Sequence, residues 1–240
     1  TAVGVTFSTI GQAVGTPDGS VRGVASLLGE AASEVSADTL LLTSVASAWR
    51  SNAPFVDMSK LAITGHAMGA VVALLTASVT PEFASVIASS PAGGMAYAFE
   101  KSGTFGPALV AGLADAAGIA PGESAWEQYF NVFQNVMGQA DPLNYVDTIP
   151  DSTGVLVFEF ENDTFFPNSD ASRPLAGTSP LIDALGLQRV NQSVPDTGAP
   201  VRAAMTINTS DSTADFGTFL TPLLGCPDGT CAYDGAYDLE

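Results

Sequence analysis

Between Leu61 and Val72 the chain reads Leu-Ala-Ile-Thr-Gly-His-Ala-Met-Gly-Ala-Val-Val, and few folds accommodate that order of residue types. The β-branched pair Ile63 and Thr64 favours an extended segment. From Ala70 a run of Ala, Val and Leu favours a helix that is apolar on every side, hence buried. Gly65 and Gly69 frame the junction and let the backbone bend tightly and approach the helix. The stretch is therefore a strand, a sharp turn and a helix, with Ala67 at the centre of the turn.

Two readings of that turn are open. Gly-x-Ser-x-Gly between a strand and a helix is the nucleophile elbow of α/β-hydrolases, and Gly65, His66, Ala67, Met68 and Gly69 reproduce its frame with Ala67 at the nucleophile position. A methyl group cannot attack a carbonyl. The backbone N–H of Met68 would occupy the position of an oxyanion donor. The other reading is an ordinary strand-to-helix turn in another doubly wound fold. His66 is the single histidine of the chain; beside the central residue it points away from the place of a catalytic base, and it reads as a packing or hydrogen-bonding part of the frame.

At 240 residues the chain suits one domain, 1–240, large enough to bury about 70% of its unfolded surface. Its 25 acidic residues against 7 basic ones give a net charge of −18. That balance excludes nucleic acid and anionic membrane surfaces as partners, because phosphate contacts need Lys and Arg. It suits a protein that is secreted or displayed on the outer cell surface. No run of 18 apolar residues is present, so no transmembrane segment is expected. With no signal peptide in view, the chain reads as mature and exported, or as a piece of something larger. Cys226 and Cys231 flank Pro-Asp-Gly-Thr, a turn that brings the two ends together. A disulfide closing a C-terminal tail at 223–240 is one reading and implies an oxidising compartment; two free thiols are the other. Zinc is disfavoured because no histidine is near, and neither a metal nor a cofactor is expected.

Before the turn, Val3 to Phe7 alternate like a strand or displaced arm, and helices are expected from Asp18 and over Ala37–Trp49, the second with Leu40, Leu41, Val45 and Trp49 on one face. After it, strands are expected at 61–64, 84–88, 154–160 and 201–207, in a mostly parallel sheet with helices on both faces. A helical cap insertion fills about 95–145. In it Trp126, Tyr129, Phe130 and Phe133 form an apolar stripe, which reads as core or as an acyl-chain groove. Asp163 falls just past the strand that follows the cap, where a hydrolase places the acid of its triad. Equally, it caps the turn before Pro167. Residues 171–200 read as a loop with a short helix around Leu181–Leu187. Nothing before Leu61 supplies the strands that normally precede an elbow, so the N-terminal strands are missing or come from another chain: a second polypeptide or a homo-oligomer completing the sheet.

Seven stretches in order carry a more specific resemblance: Gly65–Gly69, Ser90–Gly94, Phe105–Pro107, Asp141–Tyr145, Asp163 with Pro167 and Asn168, Pro174–Ile182, and Phe219–Pro222. Over roughly residues 18–222 the chain resembles the extracellular virulence-factor lipases of Gram-negative marine and aquatic bacteria. The resemblance implies an α/β-hydrolase-like fold, Asp163 as the triad acid and a lipid or ester ligand. Where the family carries Ser at the elbow, this chain has Ala67. Where the family runs Gly-Asp-His-Gly-Ser-Leu-Leu-x-Pro, this chain reads Ala-Asp-Phe-Gly-Thr-Phe-Leu-Thr-Pro, which puts Phe216 at the histidine position. A catalytically inactive lipase-like module acting in binding or assembly is therefore the leading expectation. A lipase or carboxylesterase inactivated by nucleophile substitution, or completed by a partner chain, is the alternative, and an unrelated α/β binding domain is a third.

Overall fold

A computed structural model of the chain describes residues 61–191 and 199–208, together with helical residues 36, 39–44, 46–48 and 50. The arm at 2–7, the helix expected from Asp18, Phe216, Cys226, Cys231 and the tail lie outside the described residues. Within them the order is β1 (Ala62–His66), α1 (Met68–Val79), β2 (Ser85–Ser89), α2 (Met95–Lys101), α3 (Gly106–Ala117), α4 (Ser124–Met137), β3 (Gly154–Phe160), α5 (Thr178–Ala184), β4 (Gln188–Val190) and β5 (Arg202–Ile207). The sheet runs β1-β2-β3-β5-β4, and every pair in it is parallel. This is a parallel α/β arrangement, with the strand before the turn leading into a buried helix and its successors added side by side.

Parallel pairing fixes which side chains share a face. Ile63 pairs with Val86 and Gly65 with Ala88, Val86 with Val155 and Ala88 with Val157, and Val157 with Ala204. These small and β-branched residues make a flat apolar face. Ala70, Ala73, Leu74 and Ala77 of α1 and Leu181 and Ile182 of α5 pack on it in one core cluster. The run Ala70–Ser78 is buried without interruption, as its uniformly apolar sequence requires. Of the helices expected on both faces, the two described helices that pack on the sheet, α1 and α5, share this one. The opposite face presents Ile87, Leu156 and Met205, which are half-buried.

A second cluster gathers the cap over the other side of α1. Trp126, Phe130, Phe133 and Met137 follow each other at helical spacing along α4 and are buried, joining Phe99, Phe105, Leu113 and Phe166. The aromatic stripe is therefore core, and Tyr129 lies half-buried at its edge. One carboxylate holds the ends of the cap together. Asp141 accepts hydrogen bonds from Gly94 N at 3.2 Å and Met95 N at 3.0 Å, where α2 begins. It also accepts from Gln134 Nε2 of α4 at 2.5 Å and Leu143 N at 3.0 Å. Burial pushes its carboxyl up, and the four donors pull it back in part. Arg173 makes a second node: its Nε lies 2.5 Å from Glu100 Oε2 and its Nη1 2.5 Å from Glu127 Oε2. Trp126 Nε1 donates to the same Glu100 at 2.8 Å, so α2, α4 and the loop before α5 are tied at one point.

Two sequence expectations need correction. Among the described residues at 36–50 the buried ones are Thr39 and Ala46, with Leu42 packed on the cap cluster; Val45 and Trp49 lie outside the described residues. Leu40 and Leu41 are exposed. The helix is thus turned toward the face on which Thr43 Oγ1 meets Thr80 Oγ1 at 2.7 Å. Residues 188–190, expected as loop, are an edge strand paired with β5. Its Arg189 reaches the buried Glu159 of β3 at 2.5 Å, and Glu159 also receives the hydroxyl of Ser179.

The glycines of the turn are not equivalent. A Cβ on Gly65 would stand 2.0 Å from the carbonyl oxygen of Gly69 and 2.7 Å from Ala70 N, whereas a Cβ on Gly69 would meet nothing within 4 Å. Backbone cannot yield as a flexible side chain does. Gly65→Ala should cost about 3 kcal/mol or more of unfolding free energy, and Gly69→Ala should be neutral or stabilising by up to about 1 kcal/mol. Urea denaturation of the two variants checks this; equal midpoints would show that the close approach is not what holds strand and helix together.

Candidate functional site

The turn at Ala67 is reached by geometry, not by residue type. Ala67 has φ 51° and ψ −117°, a region that L-residues enter at a cost on the order of 1–3 kcal/mol. Its N–H donates to Ser89 O at 2.8 Å, which extends the β1–β2 pairing one residue beyond the strand. Its carbonyl accepts from Ala70 N at 3.0 Å and Val71 N at 3.2 Å, which starts the helix. Strand and helix thus both close on one residue. No side chain caps α1 and no acid sits in its first turn, so the amide of Met68, the first helical residue, is at the positive end of the helix.

Because β1, β2 and β3 are adjacent and parallel, the residues after each strand share one edge of the sheet. Ala67 follows β1, Ser90 follows β2 and Asp163 follows β3 by three residues. Ser90 is buried, has φ 53° and receives its register from Ser90 N donating to Phe158 O at 2.9 Å. Its hydroxyl donates to Asp163 Oδ2. Asp163 Oδ1 accepts from Phe165 N at 2.8 Å, a side-chain turn of the kind that starts a bend before proline. Of the two readings of Asp163, the turn-capping contact is therefore present, and it coexists with the position at the strand ends.

His66 lies on the same edge. Its Nδ1 is 3.1 Å from Ser89 Oγ, a hydrogen bond within the frame. Burial lowers its pKa below the ordinary imidazole value, while the Asp163 carboxylate opposes that shift. At pH 7 His66 is accordingly neutral. Stability from this group is present above the unfolded pKa and declines as pH falls through it, because the unfolded chain takes up the proton more readily.

Above the turn the surroundings are apolar. Ala67 is 7% exposed and belongs to the cluster of Phe99, Phe105 and Phe166, with Met68 and Phe165 packed against it. The rings meet edge-on: Phe99 and Phe105 centroids are 5.6 Å apart, Phe99 and Phe166 5.7 Å, and Phe105 and Phe165 4.8 Å. Among the described residues, no group of three or more His, Cys, Asp or Glu is placed to hold a metal ion. No described helix is long and apolar enough to cross a membrane.

The structure thus brings together Gly65, His66, Ala67, Met68, Gly69 and Asp163; Phe216, Cys226 and Cys231 lie outside the described residues. Ser90 opens one of the resembling stretches, Ser90–Gly94, and Ser89 ends the strand before it, but nothing in a linear reading ties Ser90 to a carboxylate 73 positions away.

No protein-family model matches the chain, and no curated protein does. Among solved structures, a puromycin-hydrolyzing peptidase of Mycobacterium tuberculosis is 20% identical over 68% of this chain and 20% of its own, with a TM-score of 0.43. An esterase of Pyrococcus furiosus is 14% identical over 77% of this chain and 58% of its own, at 0.43. An acetyl xylan esterase from a Paenibacillus species is 14% identical over 78% of this chain and 50% of its own, at 0.49. The chain spans between a fifth and three fifths of these proteins' lengths.

Proposed function

We propose that this chain is a catalytically inactive lipase-like module of a secreted or cell-surface protein, acting in binding or assembly. The observation that carries the reading is the combination at residue 67: a strained turn with a methyl group at its tip, buried in one cluster with Phe99, Phe105 and Phe166. Without a nucleophile the chain cannot form an acyl intermediate. The described imidazole, His66, is engaged with Ser89, and Phe216 at the family's histidine position offers no proton acceptor. The ligand class is a lipid or ester, as the family resemblance implies.

One observation favours a second reading, an extracellular lipase or carboxylesterase silenced by a single replacement. The backbone strain at Ala67 persists although no side chain there uses it, and in hydrolases such strain serves to present the nucleophile. Restoring the nucleophile separates the two. Ala67→Ser alone should give no short-chain ester hydrolysis above background. Ala67→Ser with Phe216→His should exceed the single variant by about 100-fold or more, the usual contribution of a positioned base. Strong hydrolysis by the single variant would remove Phe216 from the histidine position and make the chain a silenced enzyme.

Export and assembly form part of the same proposal. A Cys226–Cys231 disulfide should add on the order of 2 kcal/mol of stability, since so short a loop removes little unfolded-state entropy. Intact mass after alkylation without reductant should show no added groups; two added groups would contradict the pairing. Among the described residues no strand pairs beyond β1, and a strand from a second polypeptide or another copy fits there. In the purified chain, alternate amides of Ala62–His66 should exchange quickly with deuterium. Uniform protection across them would mean that the chain closes its own sheet and needs no partner at that edge.

A further inference from the structure

Seven asparagines lie among the described residues, and they fall into two groups. Asn131, Asn135, Asn144 and Asn168 use their carboxamides inside the protein. Asn131 Oδ1 accepts from Tyr97 Oη at 2.8 Å, while Nδ2 of Asn135, Asn144 and Asn168 donates to a backbone carbonyl at 2.8, 2.7 and 2.7 Å. Asn162, Asn191 and Asn208 are exposed, and their side chains make no hydrogen bond to a described residue. The sequence draws the same line. Asn162-Asp163-Thr164, Asn191-Gln192-Ser193 and Asn208-Thr209-Ser210 each place a hydroxyl residue two positions after the asparagine with no proline between, and none of the other four does. That pattern is the acceptor motif for N-linked sugars, which need a surface position.

Topology gathers the three. Strands β3, β5 and β4 are neighbours in the sheet and parallel. Phe160 pairs with Ile207, and Val190 with Met205. Asn162 stands two residues after Phe160, Asn208 directly after Ile207 and Asn191 directly after Val190. Asparagines far apart in the chain thus follow the ends of adjacent strands, on roughly 10 Å of one sheet edge. Sheet twist turns each strand by about 20° from its neighbour, so the segments leaving that edge diverge and give a bulky group room. Strand β1 and the turn at Ala67 belong to the other end of the strand order.

We propose that Asn162, Asn191 and Asn208 are acceptors for N-linked sugars and form one glycan-bearing patch over the ends of β3, β5 and β4. The donor is a sugar diphosphate, lipid-linked or nucleotide-linked. In the transfer, Nδ2 of the asparagine bonds to the anomeric carbon and the bond from that carbon to the diphosphate oxygen breaks. The diphosphate leaves with the electron pair, and the amide gives up one proton to a base of the transferase. A carboxamide already donating to a backbone carbonyl would have to surrender that bond to be modified, which sets the three apart from Asn135, Asn144 and Asn168. The patch leaves free the β1 edge, where the proposed function places a second chain. The proposal rests on the reading of the chain as exported only for the lipid-linked donor, which is met at the membrane on the way out.

Intact mass and peptide mapping of the full chain, recovered separately from the medium and from the cytosol of cells that naturally produce it, test the proposal. The mass should exceed the sequence value by whole sugar residues, located at Asn162, Asn191 and Asn208 and absent from Asn131, Asn135, Asn144 and Asn168. Thr164→Ala, Ser193→Ala and Ser210→Ala should each abolish the sugar two residues earlier while keeping the asparagine itself. At the first site this also spares the backbone of Asn162, whose φ is 57°. Sugars on the medium chain alone would assign the lipid-linked donor, and sugars on both pools the nucleotide-linked one. A chain found in the medium with the three asparagines bare would overturn the proposal and leave export standing. A chain confined to the cytosol but carrying the sugars would overturn export and leave the acceptors standing; confined and bare, it would overturn both. Sugars that persist in the three hydroxyl variants would also overturn the proposal, since the motif would not be what directs them.

Discussion

Everything at the functional edge depends on the carbonyl of Gly69 lying where a side chain of residue 65 would be. That contact lets β1 end and α1 begin within one residue. Once it is made, the helix has little choice of direction, and the uninterrupted apolar run Ala70–Ser78 is laid against the face formed by Val86, Ala88, Val155 and Val157. The remaining strands then add outward from β2 in parallel register, each bringing its last residues to the same edge. Strand ends are where an α/β sheet exposes backbone and side chains not consumed by packing, which is why the turn, Ser90 and Asp163 become neighbours.

Three residues on that edge, Ala67, Ser90 and Asn162, hold positive φ without being glycine. Ser90 is compensated by a backbone hydrogen bond to Phe158 and a charge-assisted one to Asp163. Ala67 has backbone bonds on both sides and a side chain that contributes only packing in an aromatic cluster. The frame is therefore stable without chemistry at its centre, and a binding role requires no rearrangement of it.

Much of the fold was legible because burial and local pattern agree. The strands at β1, β2, β3 and β5 fall within two residues of their expected bounds, since each is a β-branched or apolar run bounded by turn residues. The stripe on α4 could be assigned to a helix from its spacing alone, although spacing could not say whether it faced core or groove. What failed was information held by other parts of the chain. Gln188-Arg189-Val190 is too short and too polar to declare itself a strand; its place is set by β5 and by Glu159. Leu40 and Leu41 are exposed because the neighbouring face, with Thr39 and Ala46, meets the protein. Gly69 shares a motif with Gly65 but not its crowding. At the site, the tight turn at Gly65–Gly69 is readable from its residue types, and Asp163 from its place after a strand, but their spatial link is not: nothing local says that the hydroxyl of Ser90 meets the Asp163 carboxylate.

The cap leaves the sheet at Gly94 and returns at Asp141, and these two residues touch through a hydrogen bond of 3.2 Å. Nearly fifty residues therefore depart from and come back to one spot, so the strands on either side do not register how long the excursion is. Loop closure grows only slowly more costly with length. The cap can accordingly change in length at little cost to the sheet beneath it, because the distance that its ends must close stays the same.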